Sequence, residues 1–375
     1  MKKVLVTDFH LDWGGQPRYL LDVAKSLKSR IETIFLTPTG SILQERAEKE
    51  GIICATIKGF NDGTELWPDQ GDVTNIAELL QKFSPDIVHV NGYRDQISTS
   101  FAVETYVPHV PVFKLKHNSF AIPETLINRY CYRHLFDHVG VVANGILNKF
   151  EWLFKEEILN PENISIHHSG LNFDDYSQYK KHWNISITEK DTITLGIVAR
   201  LAPEKGIDIL IETISQINKL PTNKRFKLII VGEGPEQANL INLVKHLGIE
   251  QLVNFTGFIE DVRPILLEFD FFILPSVDCE GSSLALKEAM AVGLPVITTD
   301  IGGSPEIINH KSNGFLVSSN SVKGLMDQIL KLSKMSAQEI QSISDLARKT
   351  IKHHFTLSKL ADSLFAIYEE LIENP

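Results

Sequence analysis

The chain has few cysteines, and their placement excludes two structural classes. Three cysteines, Cys54, Cys131 and Cys279, occur in 375 residues. They are odd in number, far apart, and unlike the spacing of zinc ligands. We therefore expect neither a disulfide scaffold nor a structural metal, and we expect a reducing compartment.

Long apolar runs and an excess of positive charge are also missing. No stretch approaches 18 apolar residues, so we expect no membrane-spanning segment. The apolar run after Lys2 and Lys3 stops at Asp8, which is too short for a signal peptide. We predict a cytoplasmic location, and leave open a peripheral contact with the inner face of a membrane. The chain has 37 Lys+Arg against 47 Asp+Glu, a formal charge of −10, which argues against a nucleic-acid partner but leaves room for one small basic site.

What the sequence does have is a regular alternation of short β-branched runs and amphipathic stretches. This rhythm predicts an α/β fold with parallel sheets, and a length of 375 residues favours two domains. The runs that we interpret as buried parallel strands are 4–7, 33–36, 52–57, 87–90, 112–115, 139–142, 164–167, 193–198, 228–231, 271–274 and 296–298.

This alternation of predicted strands and helices is interrupted once. Residues 172–191 are polar with few aliphatic side chains, and we interpret them as a linker. We place the first domain at 1–185 and the second at 186–355. The chain after Val322 is helical in pattern, with helix starts indicated at Ser336 and Thr356. Each half resembles a Rossmann fold, in which ligands bind at the carboxyl ends of the strands.

Two glycine-rich loops follow predicted strands, but neither fits a dinucleotide site. Gly14-Gly15 lacks the required spacing, and after Gly232-Glu233-Gly234 the third glycine position holds Gln237. Both loops suit a phosphate or a sugar, because glycine lets backbone N–H groups approach a ligand closely. The alternative, two tight strand–helix turns, remains open.

A pair of glutamates lies around a predicted short helix, residues 284–292. Ser283 is a suitable cap for this helix and Gly293 a suitable end. Glu280 precedes the helix and Glu288 lies inside it, so their backbones should be roughly 10 Å apart. That spacing suits two carboxylates that bind hydroxyls at opposite ends of one extended ligand, rather than the closer pair of a retaining glycosidase. A capping glutamate and a solvated one would give the same pattern.

Two cations are predicted at the same sheet edge. Arg200 follows the first strand of the second domain, and Lys205 opens the next helix. Arginine offers a planar fork for phosphate oxygens and lysine a point charge, which favours a compact anion such as a diphosphate. Either residue alone could be an ordinary surface charge.

These motifs together resemble a known family. Arg200 followed by LAPEKG, the run VGEGP at 231–235, and EG-x5-KEAMA-x-GLPV from Glu280 followed by GG-x-PE from Gly302 look like the GT4-type retaining glycosyltransferases of glycosyltransferase group 1. Gly14-Gly15-x-x-Arg18 and Ser169-Gly170-Leu171-Asn172 resemble that family's first-half motifs. The resemblance implies a GT-B fold: two facing Rossmann-like domains with a cleft between them, and a C-terminal crossover helix, about 356–375, that packs back on the first domain.

The resemblance also implies an activity. It implies a retaining transferase that uses a nucleotide-diphosphate sugar without a metal or another cofactor. On family frequency the donor is a UDP-hexose or a UDP-N-acetylhexosamine, and the acceptor is a glycan, a glycolipid or a protein-linked sugar. Asp278-x-Glu280 is superficially similar to the metal motif of the other glycosyltransferase fold, but its surroundings match the metal-free family, so we expect no metal site.

By the same resemblance, residues take specific roles. Arg200 and Lys205 would hold the diphosphate and stabilise the departing nucleotide. Glu288 would bind the ribose, and Glu280 the transferred sugar, near which His117 would lie. Gly15 would bring its N–H to the phosphates from the first domain. The remaining residues assigned to donor binding are Gly14, Gly232, Glu233, Gly234, Phe258, Gly281, Ser282, Ser283 and Leu284.

Acceptor contacts are expected from loops of the first domain. The candidates are Trp13, Asn91, Tyr93, Arg94 and Asn118, although each could equally be a loop-packing residue. The family usually has an aromatic residue where Ser282 stands here, and often Glu at the position of Arg18. Two further functions stay open: a phosphorylase or epimerase on the same fold, and a non-catalytic homologue that binds glycan as a partner subunit. The sequence does not indicate an oligomeric state.

Overall fold

A computed structural model describes residues 1–57, 70–183 and 187–374, without the side chain of Arg94. The chain forms two compact units. The first comprises Met1–Gly170 together with the chain from Leu357 onward, and the second comprises Leu171–Thr356.

The first unit is built on a seven-stranded parallel sheet with the order β3-β2-β1-β4-β5-β6-β7. Its strands are β1 (Lys2–Thr7), β2 (Ile31–Pro38), β3 (Ile53–Ile57), β4 (Ile87–Val90), β5 (Val112–Lys116), β6 (His138–Val141) and β7 (Ile164–Ile166). Its helices are α1 (Gly15–Leu27), α2 (Ile42–Lys49), α3 (Gln70–Phe83), α4 (Tyr93–Tyr106), α5 (Leu126–Tyr130), α6 (Glu151–Lys155) and the C-terminal α14 (Leu357–Glu373). Central strands such as β4 are buried along their whole length, as expected of a sheet covered by helices on both faces.

Helix α14 is part of the first unit's core. Leu360 and Leu364 are buried in the same apolar cluster as the inner face of α1. The Tyr368 hydroxyl lies 2.7 Å from His89 Nδ1 on β4, and Arg30 forms an ion pair with Asp362 at 2.6 Å. The last helix of the chain thus completes the unit that the first strand begins.

The second unit is built on a six-stranded parallel sheet with the order β10-β9-β8-β11-β12-β13. Its strands are β8 (Thr192–Val198), β9 (Arg225–Val231), β10 (Val253–Gly257), β11 (Phe271–Leu274), β12 (Val296–Thr299) and β13 (Phe315–Val317). Its helices are α7 (Ile207–Ile217), α8 (Gln237–Leu247), α9 (Arg263–Leu266), α10 (Leu284–Val292), α11 (Ser304–Ile307), α12 (Val322–Leu332) and α13 (Ala337–His354). Fully buried phenylalanines such as Phe226, Phe269 and Phe271 fill its interior.

Each sheet has one point at which the chain reverses its direction of winding. In the first sheet that point lies between β1 and β4, and in the second between β8 and β11. At such a point the loops after the two strands diverge and leave a crevice, where ligands of doubly wound sheets bind. A ligand site is therefore expected at the loops after β1, β4, β8 and β11.

The predicted α/β class with two parallel sheets is confirmed, but the segment that we interpreted as a linker belongs to the second unit. The predicted boundary between 185 and 186 falls outside the described residues, whereas the two units meet at 170/171. Tyr176 and Trp183 are buried in the second core, and the Trp183 indole donates to the Gly293 carbonyl at 3.2 Å. A few large side chains therefore anchor a segment whose composition is otherwise polar.

All the predicted strands are present within a few residues, and two more were missed. These are β10 and β13, the outermost strands of the second sheet. Both have partly exposed residues along most of their length. In the described part of the chain, no helix is long and apolar enough to cross a membrane.

Candidate active site

The loop after β8 packs directly on the loop after β11. Residues Pro203–Lys205 form a 3-10 turn that ends at Gly206, whose φ is +62°. A Cβ at Gly206 would lie 2.2 Å from the Pro275 carbonyl oxygen, so only glycine fits there. The Val277 amide donates to the Glu204 carbonyl at 2.9 Å, which ties the two loops together at the reversal point of the sheet.

Lys205 and Glu280 form a buried ion pair between these loops. Lys205 Nζ donates to Glu280 Oε2 at 3.0 Å, with side-chain exposures of 21% and 6%. The same carboxylate oxygen accepts a hydrogen bond from Ser276 Oγ at 2.7 Å. Burial alone would lower the pKa of Lys205, but the charge and the hydrogen bond of Glu280 raise it above its usual value. Lys205 is therefore a fixed positive charge, held in place by a carboxylate.

The loop after β12 supports Glu280 from its backbone side. Gly302 has a φ of +56°, and a Cβ there would lie 1.7 Å from the Glu280 carbonyl oxygen. The next amide, Gly303 N–H, donates to the carbonyls of Glu280 and Gly281 at 3.3 and 3.1 Å. The Gly302-Gly303 pair thus fixes the position of the predicted sugar-binding loop.

Helix α10 begins where the sequence predicted. The Ser283 side chain accepts from the Leu286 amide, and Gly293 ends the helix with a φ of +88°, which confirms both caps. Lys287 is fully buried one turn inside, and its Nζ contacts the carbonyl and the hydroxyl oxygen of Ser282. Burial holds the pKa of Lys287 well below its usual range, against the opposing charges of Glu280 and Glu306. Sequence reasoning did not assign Lys287 a role. In the structure, Lys287 supports Ser282, which stands where the resembled family usually has an aromatic residue.

The glycines of the loop after β9 are required by the fold itself. A Cβ at Gly232 would lie 2.0 Å from the Ala199 carbonyl oxygen, and one at Gly234 would lie 2.4 Å from that of Leu201. Glu233, between them, accepts from the Phe258 amide at 3.3 Å through Oε1, and the Phe258 ring is 51% exposed. These glycines bring the loop after β9 against the loop after β8, so their conformation does not by itself require a ligand.

Glu288 is more enclosed than its predicted role suggests. Its exposure is 3%, and its Oε1 accepts from the Tyr176 hydroxyl at 2.8 Å. Tyr176 comes from the segment that we interpreted as a linker, so no pattern in the sequence pairs it with Glu288. Arg200, by contrast, is exposed. The second unit therefore offers an exposed guanidinium, a buried Lys–Glu pair and the start of a capped helix along one sheet edge.

In the first unit, the predicted glycine pair lies at the start of α1. Gly14 caps α1 without a side-chain hydrogen bond, and Gly15 is its first residue. Among the described atoms, a Cβ at either position would meet nothing within 4 Å. The space beside these two glycines is therefore open, and the start of a helix favours an anion. Trp13 stacks on the Arg46 guanidinium at 4.1 Å, which is a packing contact.

His117 and Asn91 contact each other at the reversal point of the first sheet. His117 Nε2 lies 2.7 Å from Asn91 Oδ1, while Asn91 Nδ2 donates to the Thr7 carbonyl at 2.9 Å. Since the amide oxygen is the acceptor, Nε2 of His117 carries a proton. Burial, followed by the neighbouring His89 and Lys114, holds the pKa of His117 well below its usual value. His117 is therefore a neutral imidazole of defined tautomer.

Beneath Asn91 lies a buried polar network that sequence reasoning missed. Asp95 Oδ2 accepts from the Thr7 hydroxyl at 2.5 Å and from the Asn91 amide at 2.9 Å. Lys114 Nζ donates to the carbonyls of Asn91 and Gly92 at 2.5 and 3.0 Å. Burial lowers the pKa of Lys114 to about 7. The network comes from strands β1, β4 and β5 and from α4, and no local pattern in the sequence links them.

The other predicted acceptor residues lie close in sequence to Asn91 and His117. Tyr93 is 48% exposed at the first residue of α4. Asn118 accepts from Lys116 Nζ at 3.0 Å and from the Phe120 amide at 3.2 Å, which holds a loop. The side chain of Arg94 lies outside the described part of the chain. Within the described residues, no three His, Cys, Asp or Glu side chains group as ligands for a metal ion. The structure thus brings Asn91 and His117 into contact.

Comparison with known proteins assigns the second half of the chain directly. Residues 179–350 match the family model of the glycosyl transferases group 1. N-acetyl-alpha-D-glucosaminyl L-malate synthase of Bacillus anthracis is 31% identical over 200 residues, 53% of this chain and 50% of that enzyme. The matched segment thus spans about half the length of this curated relative. The O-antigen biosynthesis glycosyltransferase WclY of Escherichia coli is 27% identical over 319 residues, 80% of this chain and 82% of that protein.

A solved structure extends the match to the whole fold. Alr3699/HepE of Anabaena, crystallised in complex with UDP and glucose, superimposes with a TM-score of 0.82 at 19% identity. The superposition covers 99% of this chain and 100% of that one. The family motifs quoted from the second half of the sequence lie on the loops that meet around Lys205 and Glu280. The second half of the chain is therefore similar to the glycosyl transferases group 1, and the whole chain has the GT-B fold.

Proposed function

We propose that this chain transfers a hexose or N-acetylhexosamine from a UDP-sugar to a hydroxyl of a glycan or glycolipid, with retention at the anomeric carbon and without a metal ion. The second unit holds the donor and the first unit holds the acceptor. The observation that carries the proposal is the Lys205–Glu280 pair at the reversal point of the second sheet, with Arg200 exposed on the same loop. Two cations at this edge, of which Lys205 is held in place by Glu280, suit a leaving diphosphate.

The charge arrangement supports departure of the nucleotide. As the bond between the sugar and the diphosphate breaks, negative charge grows on the phosphate oxygens. Arg200 and Lys205 are cations placed before the reaction begins, so they stabilise this charge without rearranging. Because Glu280 fixes Lys205 from one side, the ammonium group keeps its position. Removing one such group from comparable sites lowers kcat by about 10²–10³-fold.

The relatives support the choice of donor and pathway class. HepE was crystallised with UDP and glucose, and WclY is named as an enzyme of O-antigen biosynthesis. For this chain, both features suggest a UDP-sugar donor and a cell-surface glycan as product. Glu288 would then bind the ribose, and Ser282–Leu284 would bind the sugar through their backbone N–H groups.

A thermal-shift panel of nucleotide diphosphates and nucleotide sugars tests the proposal. A ligand at 100 times its Kd should stabilise the fold by about 2.7 kcal/mol, which raises Tm by roughly 5–10 °C for a domain of this size. We expect UDP and UDP-sugars to give this shift and ADP to give less. Release of UDP with slow hydrolysis of the sugar would then distinguish a transferase from an epimerase, which returns an intact isomer.

Arg200→Ala is the sharpest variant for this test. Because Arg200 is exposed, its removal should leave the fold intact while UDP-sugar turnover falls by about 10²–10³-fold. Arg225 is a matched control, since it is an exposed arginine at the opposite, amino-terminal end of β9. If Arg200→Ala retained wild-type turnover, or Arg225→Ala lost as much, the diphosphate assignment would be wrong.

A further inference from the structure

Tyr176 contacts a residue to which the proposed function gives a role in donor binding. The Tyr176 hydroxyl donates to Glu288 Oε1 at 2.8 Å, and both residues are 3% exposed. Tyr176 lies in the 3-10 helix Phe173–Tyr179, whereas Glu288 lies in α10, 112 positions further along the chain. The contact therefore exists only in the folded second unit, and the proposed function does not use it.

The segment that carries Tyr176 is held in place by other contacts. Arg263 Nη1, from α9, donates to the Asp175 carbonyl at 3.1 Å, and the Lys181 amide donates to the Val292 carbonyl at 2.8 Å. The ring of Tyr176 is buried in the second core. These contacts fix the segment whether phenylalanine or tyrosine stands at this position, so the hydroxyl is the part of the side chain that acts on Glu288.

The hydrogen bond sets the orientation of the Glu288 carboxylate. Helical side chains lean toward the N-terminus of their helix, so Glu288 is directed toward the first turn of α10, where Ser283 caps the helix. Its side-chain torsions would otherwise allow several positions of the carboxylate. Because a carboxylate is a rigid planar group, holding Oε1 against Tyr176 also determines where Oε2 lies. The carboxylate is thus oriented before any ligand binds.

An oriented carboxylate suits a pair of neighbouring hydroxyl groups. The oxygens of a carboxylate only accept hydrogen bonds, and a ribose offers adjacent hydroxyl donors on its 2′ and 3′ carbons. A ligand binds more tightly to a group that is already ordered, since less side-chain entropy is lost on binding. A hydroxyl that orders Glu288 in advance therefore increases the affinity for a ribose without contacting the ribose.

We propose that Tyr176 is a positioning residue for the nucleotide: its hydroxyl orients the Glu288 carboxylate, which accepts hydrogen bonds from the ribose of the donor. The inference rests on the proposed function, which assigns Glu288 to the ribose. It adds the segment that we interpreted as a linker to the donor site. No covalent bond is made or broken by Tyr176, which acts on the nucleotide only through Glu288.

Calorimetry with UDP and 2′,3′-dideoxy-UDP tests the inference, because the second ligand lacks both ribose hydroxyls. We expect the wild-type chain to bind UDP about tenfold or more tightly than the dideoxy ligand. In Tyr176→Phe this ratio should fall about threefold or more, since the carboxylate must then be ordered on binding. Tyr179→Phe is the matched control and should keep the wild-type ratio. It removes a hydroxyl from the same 3-10 helix, and its ring packs against the Arg263 guanidinium at 5.2 Å.

The ratio separates positioning from a purely structural role, because a loss of stability affects the binding of both ligands equally. Steady-state kinetics with the best UDP-sugar of the panel give a second readout. Tyr176→Phe should raise KM about threefold and leave kcat within about twofold of wild type, as expected when a contact remote from the reacting bond is weakened.

The outcomes distinguish this inference from the proposed function. An unchanged ratio in Tyr176→Phe, or an equal loss in Tyr179→Phe, overturns the positioning role while the proposed transfer reaction stands. A wild-type chain that binds UDP and dideoxy-UDP equally also overturns it, since there would be no ribose contact to orient. Failure of the wild-type chain to bind any nucleotide diphosphate or nucleotide sugar contradicts the proposed function itself, and the inference with it.

Discussion

Two buried histidines of the first unit should make its stability depend on pH. His89 is 1% exposed and His167 is 2% exposed. Burial holds the pKa of His89 well below its usual value and lowers the pKa of His167 to about 3. In the unfolded chain both rings titrate near pH 6.5. As pH falls through 6.5, the unfolded chain takes up protons that the folded chain does not, so stability is present above this pH and is lost below it.

The size of the effect for His167 follows from the difference between its pKa in the unfolded chain and its pKa in the folded chain. Between pH 7.0 and 5.5, a histidine that titrates at about 6.5 when unfolded and at about 3 when folded costs roughly 1.2 kcal/mol. His89 adds a loss of the same sign, because burial also lowers its folded-state pKa. The loss should continue to lower pH and level off only near the folded pKa of about 3.

Urea unfolding at pH 7.0, 6.0 and 5.5 measures this effect. His167→Gln keeps a polar side chain between Ser165 and Ser363, its present partners at 2.6 and 2.9 Å, but it does not titrate. Between pH 7.0 and 5.5, we expect the free energy of unfolding of this variant to fall by about 1.2 kcal/mol less than that of wild type. Only the pH dependence is compared, because the substitution also changes the hydrogen bonds at neutral pH. A variant with the full wild-type pH dependence would refute the reasoning.

Three further outcomes are expected in the second unit. Gly302→Ala should lower UDP-sugar affinity at least tenfold by calorimetry, because its Cβ would collide with the Glu280 carbonyl and its φ is unfavourable for alanine; unchanged affinity would show that this glycine does not position the loop. Lys205→Met should destabilise the fold by about 3–5 kcal/mol in chemical denaturation, since it leaves a buried carboxylate without its cation. The double variant with Glu280→Gln should recover part of that loss, and no recovery would mean that the pair is not coupled. Tyr176→Phe should cost about 1–3 kcal/mol of stability by removing a donor to buried Glu288, and an unaffected midpoint would contradict that contact.

The sequence predicted the parts of this fold that depend on local pattern. Strands β4 and β11 were placed correctly because they are continuous apolar runs, buried along their length. Strands β10 and β13 were missed because an outer strand is covered by the sheet on one side only, and its residues are partly exposed. Likewise, the polar composition of 172–183 concealed Tyr176 and Trp183, which are buried in the second core.

The candidate site also has residues that the sequence could reveal and residues that it could not. Arg200, Lys205 and Glu280 could be found because each lies in a short motif after a strand, and the structure brings Lys205 and Glu280 into contact. The network of Asp95 and Lys114 could not be found, since it joins residues of separate strands and a helix. Such contacts depend on strand order, which local spacing does not determine.

The two points where the chain passes between its units lie side by side. Leu171 and Thr356 are bridged, and the Leu171 amide donates to the Phe355 carbonyl at 2.9 Å. The second unit is therefore an uninterrupted segment whose two ends nearly touch, inserted into a first unit that the C-terminal helix completes. Segments with adjacent ends are tolerated as domain insertions. One stretch of gene, with two neighbouring junctions, therefore encodes the whole second unit, so recombination can exchange this unit while the first is inherited unchanged.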